Sequence, residues 1–162
     1  MTTTTREIHF EAFGPAHRAR CLELFDANSP EYFAPEERAE YAAFLTDPPD
    51  GYEVCVVGGE VAGAYGLIGD GADDGLRLNW ILLDPAVQGV GVGSAIMRRV
   101  MASARSRLDR SGSSKPAGRF VDIAASHRSA PFFARFGAVE VRRTPDGWGP
   151  GMHRVDMLLA VD

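Results

Sequence analysis

The chain has 162 residues, 45% hydrophobic and 24% charged, which suits one ordinary globular domain with a single well-buried core. Lys and Arg number 17 against 22 Asp and Glu, and the resulting net charge of -5 argues against a nucleic-acid backbone as main partner and suits a cationic small substrate better. No apolar run approaches the roughly 20 residues of a membrane helix, the threonine-rich start lacks the apolar core of a secretory signal, and Cys21 and Cys55 stand outside any Cys-x-x-Cys or Cys/His grouping. Membrane, collagenous, disulfide-scaffold and basic nucleic-acid-binding classes are thereby excluded. A cytoplasmic protein without a metal site is expected.

In chain order, Glu7 to Phe13 alternates Ile8, Phe10 and Ala12 with polar residues and predicts a short strand. Beyond Gly14-Pro15, the spacing of Cys21, Leu22, Leu24 and Phe25 predicts a helix that Asn28-Ser29-Pro30 stops. Pro35 with Glu36 and Glu37 opens a second helix, the two acids lying at the positive end of its dipole, with Tyr41, Phe44 and Leu45 as its apolar stripe. Tyr52 to Val57 and Glu60 to Ile68, joined by Gly58-Gly59, predict a hairpin. A polar loop over 69–75 leads to a strand from Leu76 to Leu83. A glycine-rich turn then opens a long helix, from about Gly91 to Leu108, with Ile96, Met97, Val100, Met101 and Ala104 on one side. A short linker-like stretch, Asp109 to Gly118, precedes a strand over Arg119 to Ala124. A helix over Ser129 to Phe136 and strands over Val139 to Arg142 and Met152 to Val161 complete the chain. The order predicts a single mixed α/β sheet domain spanning 1–162.

The chemistry concentrates in Gln88-Gly89-Val90-Gly91-Val92-Gly93-Ser94, between a strand and the longest helix. Glycines at every second position leave backbone amides open to a ligand, and the helix dipole adds positive potential, the geometry that binds a pyrophosphate. A Walker loop needs a lysine that is absent after Gly93, and a dinucleotide fold would place the motif after an early strand of an alternating parallel sheet.

Leu83-Asp84-Pro85-Ala86-Val87-Gln88-Gly89-Val90-Gly91-Val92-Gly93 resembles the acyl-CoA signature of the GNAT N-acetyltransferase superfamily, and Ser126 to Ala138 is similar to that family's second cofactor segment. The resemblance implies a central, mostly antiparallel twisted sheet flanked by helices, with an acyl-CoA cleft at a splayed pair of strands. It further implies that backbone groups of Leu82 and Leu83 pair with the pantetheine amides, that Gln88 to Ser94 cradle the pyrophosphate, and that Ser126, Ser129 and Phe132 line the opposite wall. The implied chemistry is direct attack of a primary amine, of a small molecule or a protein, on acetyl-CoA, with a backbone amide near Leu83 stabilising the oxyanion.

Two features depart from the family pattern. Many members carry a tyrosine acid in the short helix where this chain has Phe132-Phe133, which leaves His127, Ser126 and Ser129 as nearby donors. The strand face assigned to Arg77, Asn79, Ile81 and Leu83 holds no carboxylate, so Asn79 is the candidate to position a water as base and Arg77 to bind a substrate carboxylate. Tyr32 and Phe33 are expected in the acceptor wall, as is Trp148, read as part of a loop over 146–151, while Trp80 is expected in the core. Exposed sheet edges suggest a homodimer. The alternative reading is an acyl-CoA-binding sensor or interaction domain without catalysis.

Overall fold

The computed structural model describes residues 7–69, 75–87, 91–111 and 119–161. The elements are β1 (Ile8–Ala12), α1 (Arg18–Asn28), α2 (Glu37–Phe44), β2 (Tyr52–Val57), β3 (Glu60–Ile68), β4 (Leu76–Leu83), α3 (Val92–Ser111), β5 (Phe120–Ser126), α4 (Ala130–Ala134), β6 (Val139–Gly149) and β7 (Met152–Ala160). They build one seven-stranded sheet in the order β1-β2-β3-β4-β5-β7-β6. Every neighbouring pair is antiparallel except β4 and β5, which are parallel and joined through α3. This is the mixed α/β architecture expected from the element order.

Two apolar clusters lie on opposite faces of the sheet. Ile96, Met97, Val100 and Ala104 of α3 pack with Leu76 and Leu78 of β4 and with Val155, Met157 and Leu159 of β7. On the other face, Cys21, Leu24 and Phe25 of α1 and Tyr41 of α2 pack on Tyr52, Val54 and Leu82. Both cysteines are buried free thiols, as the absence of any motif implied.

Three details differ from the sequence reading. The stretch expected to begin a linker at Asp109 continues α3 through Ser111, because Val100, Ala104 and Leu108 carry the buried stripe to the end of the helix. The strand expected to stop at Arg142 continues to Gly149, so Trp148 sits on β6 beyond a register irregularity between Thr144 and Gly149 rather than in a loop. The third is in β4. Ala64 pairs with Leu82 while Gly66 pairs with Asn79, so two residues of β4 oppose one of β3, and Trp80 takes a left-handed backbone with φ 44°. This bulge reverses the alternation. Leu76 and Leu78 point to the α3 face, whereas beyond the bulge Ile81 and Leu83 do, and Trp80 and Leu82 turn to the α1/α2 face. The single face assigned to Arg77, Asn79, Ile81 and Leu83 therefore does not exist.

Candidate active site: a cleft between β4 and β5

The parallel pairing of β4 with β5 lasts three residue pairs, ending at Leu78 opposite Ile123. Beyond it the strands part, and a cavity of about 1230 Å³ opens between Asn79–Asp84 on one side and Ala124–Ser126 on the other. Which backbone groups face the gap follows from the two-residue alternation of a ladder. Asp84 N–H bonds Ala62 O at 2.9 Å and Leu82 pairs with Ala64, so the groups of Leu82 are spent on β3 and those of Leu83 turn outward. Of the two residues expected to offer backbone groups here, Leu83 keeps that position and Leu82 does not. On β5, His127 N–H bonds His153 O at 2.9 Å, which places Ala125 in the β7 ladder and turns Ala124 toward the gap.

The end of β4 is held from α1. Arg20 Nη2 donates to Asp84 Oδ2 at 2.7 Å and its Nε to Val61 O at 3.0 Å, while Asp84 Oδ1 accepts Ala86 N–H at 2.9 Å and turns the chain toward α3. The bulge has its own clamp. Tyr52 Oη donates to Trp80 O at 2.8 Å and lies 2.8 Å from Tyr41 Oη, so with its one proton committed Tyr52 must accept from Tyr41.

Helix α3 begins at the mouth of the cleft. Among the described residues its first intrahelical bond runs from Ala95 N–H to Gly91 O and the N–H groups of Val92, Gly93 and Ser94 have no helical partner there, at the positive end of a 20-residue dipole. Gly91 has φ 84° and open space where a side chain would be. At Gly93 a Cβ would come within 2.8 Å of the Phe132 ring, so glycine lets α4 pack against the first turn of α3. Gly91, Val92, Gly93, Ser94, Ser126, Ser129 and Phe132 all line the cavity. Gln88, Gly89 and Val90, also expected in the cradle, lie outside the described residues. Ser126 and Ser129 cap each other: Ser129 N–H donates to Ser126 Oγ at 3.1 Å and Ser126 N–H to Ser129 Oγ at 3.0 Å. Arg128 and Arg135, which the sequence reading passed over, line the same wall. Bare amides at a helix start together with two guanidiniums are a donor set that fits a phosphorylated acyl carrier.

Tyr32, Phe33, Arg77, Asn79 and Trp148, the residues expected to meet the acceptor, also line the cavity. Trp148 Nε1 donates to Ala125 O at 2.9 Å and its ring lies under the Arg154 guanidinium. Trp80, expected in the core, packs against the α1/α2 core cluster and also borders the cavity. The bulge turns it onto Phe33 and Tyr41, with ring centroids 6.1 and 4.8 Å away. His127 is not among the lining residues. Its Nδ1 accepts the His153 N–H at 3.1 Å and its ring rests 4.7 Å from that of His153, so it is held against the start of β7.

The carboxyl that β4 lacks comes from α2. Glu37 is 8% exposed and lines the cavity, and its Oε2 accepts Ala34 N–H at 2.8 Å. Burial pushes its pKa up to about 7, against the pull of the Ala34 N–H and with help from Glu40 and Glu36 nearby. Its position beside Pro35 and Glu36 reads in sequence as helix-start acidity. Only the tertiary fold turns it inward.

The chain belongs to the acetyltransferase (GNAT) family, whose model matches residues 19–138. Enzymes of this family take acetyl-CoA as acyl donor. Among solved structures, Ard1 from Thermoplasma volcanium superposes with a TM-score of 0.74 at 17% identity over 96% of this chain and 98% of that one. The acetyltransferase yncA from Salmonella typhimurium, solved with its cofactor acetyl-CoA, gives 0.65 at 17% over 96% and 95%. The ribosomal-protein-S18-alanine N-acetyltransferase from Escherichia coli gives 0.70 at 12% over 96% and 95%. These likenesses establish the fold. A comparison with curated proteins gives no sequence match. Among the described residues no helix is long and apolar enough to cross a membrane, and no cluster of His, Cys, Asp and Glu could hold a metal ion.

Proposed function

We propose that the protein transfers the acetyl group of acetyl-CoA to an amine nitrogen by direct attack in a ternary complex, with Glu37 as the general base. The observation that carries this reading is the position of Glu37, a buried carboxyl with a pKa near 7 in the same cavity as the open edge of β4 and the start of α3. A base with that pKa is half ionised at neutral pH and accepts a proton from an amine as its nitrogen bonds to carbon. The Leu83 N–H, turned away from the ladder, stabilises the oxygen charge that develops at the acyl carbon. The N–C bond forms, the C–S bond breaks, the amine proton passes to Glu37, and the sulfur departs as a thiolate. Its ordinary acidity, with a pKa of about 8.5, allows it to leave without the tyrosine acid, which Phe133 replaces.

The N–H groups of Val92, Gly93 and Ser94 bind the pyrophosphate, with Gln88 to Val90 completing the cradle, and Arg128 and Arg135 add charge for the remaining phosphate. Asn79 supports a water or the amine beside Trp80, and Arg77 and Trp148 border the acceptor. Calorimetric titration with acetyl-CoA followed by an amine panel tests the reading. Micromolar binding with free CoA released in proportion to acetylated amine is expected. Binding without turnover of any amine would favour the sensor alternative, and absence of binding would overturn both.

A further inference from the structure

A second cavity, of about 520 Å³, shares no residue with the cleft. It is bordered by Phe10 of β1 and, along α3, by Arg98, Arg99, Ser103, Arg107 and Arg110. Arg99, Ser103, Arg107 and Arg110 follow one another at helical spacing and form one stripe of neighbours on the helix surface. From Arg98 to Arg110 the stripe runs about 18 Å. The Arg99 guanidinium lies 4.7 Å over the Phe10 ring, which sets the stripe directly beside β1.

The stripe is short of anions. Arg99 makes a two-point bond with Glu53, at 2.6 and 2.9 Å. Arg107 donates to the carbonyls of Leu67 at 2.5 Å and Gly69 at 3.0 Å, which hold it without cancelling its charge. Arg98 and Arg110 are exposed and, among the described residues, have no hydrogen-bond or ion-pair partner. Asp109, on the same helix, is engaged by Arg119 at 2.7 Å. A chain of net charge -5 thus keeps on this face four guanidiniums answered by one carboxylate.

The strand beside the stripe is also unfinished. β1 ends the sheet. Phe13 N–H donates to Tyr52 O at 2.9 Å, and Ala12 stands opposite Glu53 in the register. By the alternation of the ladder, His9 and Glu11 bond β2, and the N–H and C=O groups of Ile8, Phe10 and Ala12 point out of the sheet. Among the described residues none of these groups is bonded. Ile8 and Phe10 carry their side chains on the α3 face. A strand added here sets every second side chain beside the arginines.

We propose that β1 takes up an extended acidic segment of a partner protein as an added strand, its backbone pairing with Ile8, Phe10 and Ala12 and its acidic side chains meeting the arginine stripe. The five residues of β1 span about 17 Å, close to the length of the stripe. A second copy of this chain fits poorly. Paired through its own β1 about a two-fold axis, it would lay Ile8, Phe10 and Ala12 on that face and bring no acid to the arginines.

The test is fluorescence anisotropy with a short labelled peptide that alternates glutamate and threonine. Saturable binding is expected, weakened about tenfold in the Arg98→Glu/Arg110→Glu double variant. It should be lost in Ala12→Pro, which removes an outward N–H from an edge strand, where proline is tolerated. Both variants should keep the acetyl-CoA affinity of the wild type. Methylating one alternate set of the peptide's backbone nitrogens should abolish binding and methylating the other should not, a signature of pairing along one edge that leaves the protein unaltered. No binding, equal affinities of the two methylated peptides, or displacement of the peptide by acetyl-CoA would overturn the proposal. So would tighter binding of inorganic tripolyphosphate than of the peptide, which would give the stripe to a small anion.

Discussion

The two walls of the cleft are made from different materials. The α3/α4 wall presents backbone: the helix-start amides of Val92 to Ser94, the outward N–H of Leu83 and groups of Ala124, and glycines that keep the space open. The α1/α2 wall presents side chains, Asn28, Phe33, Glu37, Trp80 and Trp148, drawn from five separate elements or connections. A site made of backbone tolerates change in most neighbouring side chains as long as the glycines stay. One made of side chains changes its ligand whenever one of them changes. On the proposed reading the α3/α4 wall serves the acyl donor and is generic, and the α1/α2 wall, which meets the acceptor, carries what distinguishes this chain.

The largest expected effect separates the walls from the acceptor side. Glu37→Gln should lower kcat by about 10² to 10⁴-fold with acetyl-CoA affinity within a few fold of wild type. In the wild type kcat should rise with pH through about 7 as Glu37 loses its proton, and the variant should lack that limb. Calorimetry beside a pH–rate profile checks both.

The complementary change acts on the donor wall. Gly91→Asp should weaken acetyl-CoA binding by about 100-fold by setting a carboxylate against phosphate. Gly91→Ala carries the same backbone strain at φ 84° without the charge, and should lose affinity by no more than about tenfold. Equal losses in the two variants would assign the whole effect to backbone strain and take the phosphate from this position.

A smaller effect is expected at the boundary between the walls. Tyr52→Phe removes the hydroxyl that holds Trp80 O and leaves that carbonyl and Tyr41 short of a partner, at a cost of about 1–3 kcal/mol. Because the clamp holds the bulge that shapes both sides of β4, acetyl-CoA affinity should fall as well as Tm. Tyr41→Phe leaves the Tyr52–Trp80 bond in place and should lower Tm alone.

The smallest effect concerns stability and its pH dependence. The folded chain holds the Glu37 proton more tightly than the unfolded chain, whose glutamate titrates near 4.5, so protonation of this group favours the fold. That contribution is complete below about 4.5 and is lost as pH rises through about 7. Glu37→Gln should therefore raise Tm at pH 8 by a few degrees, roughly 1–2 kcal/mol, and by less at pH 5, as thermal melts at the two pH values would reveal.

The same contrast explains what the sequence revealed. The donor wall was legible because its determinants are contiguous: glycines at alternate positions between a strand and a helix state their geometry locally, and the hairpin around Gly58-Gly59 was equally plain. The acceptor wall is made by long-range packing. Glu37 resembles any acid at a helix start until α2 lies on the sheet. Trp80 alternates as a core residue would until a bulge, for which the strand's composition gives no signal, reverses the parity of β4. Asn28 looks like a helix stop because Asn-Ser-Pro is one. Its bond to Leu83, 55 residues away, is invisible locally. His127 shows the converse: its proximity in sequence to the cofactor segment suggested chemistry, while the fold places it outside the cavity lining with its ring against β7.

The three-pair contact between β4 and β5 divides the sheet into two antiparallel halves, the meander β1 to β4 and the set β5-β7-β6, sewn together by one short parallel seam and the crossover helix α3. A molecule seated in the gap completes the hydrogen bonding that the strands abandon and touches both halves at once. Its binding therefore splices the sheet, and the two halves gain a mechanical continuity that the polypeptide alone does not provide.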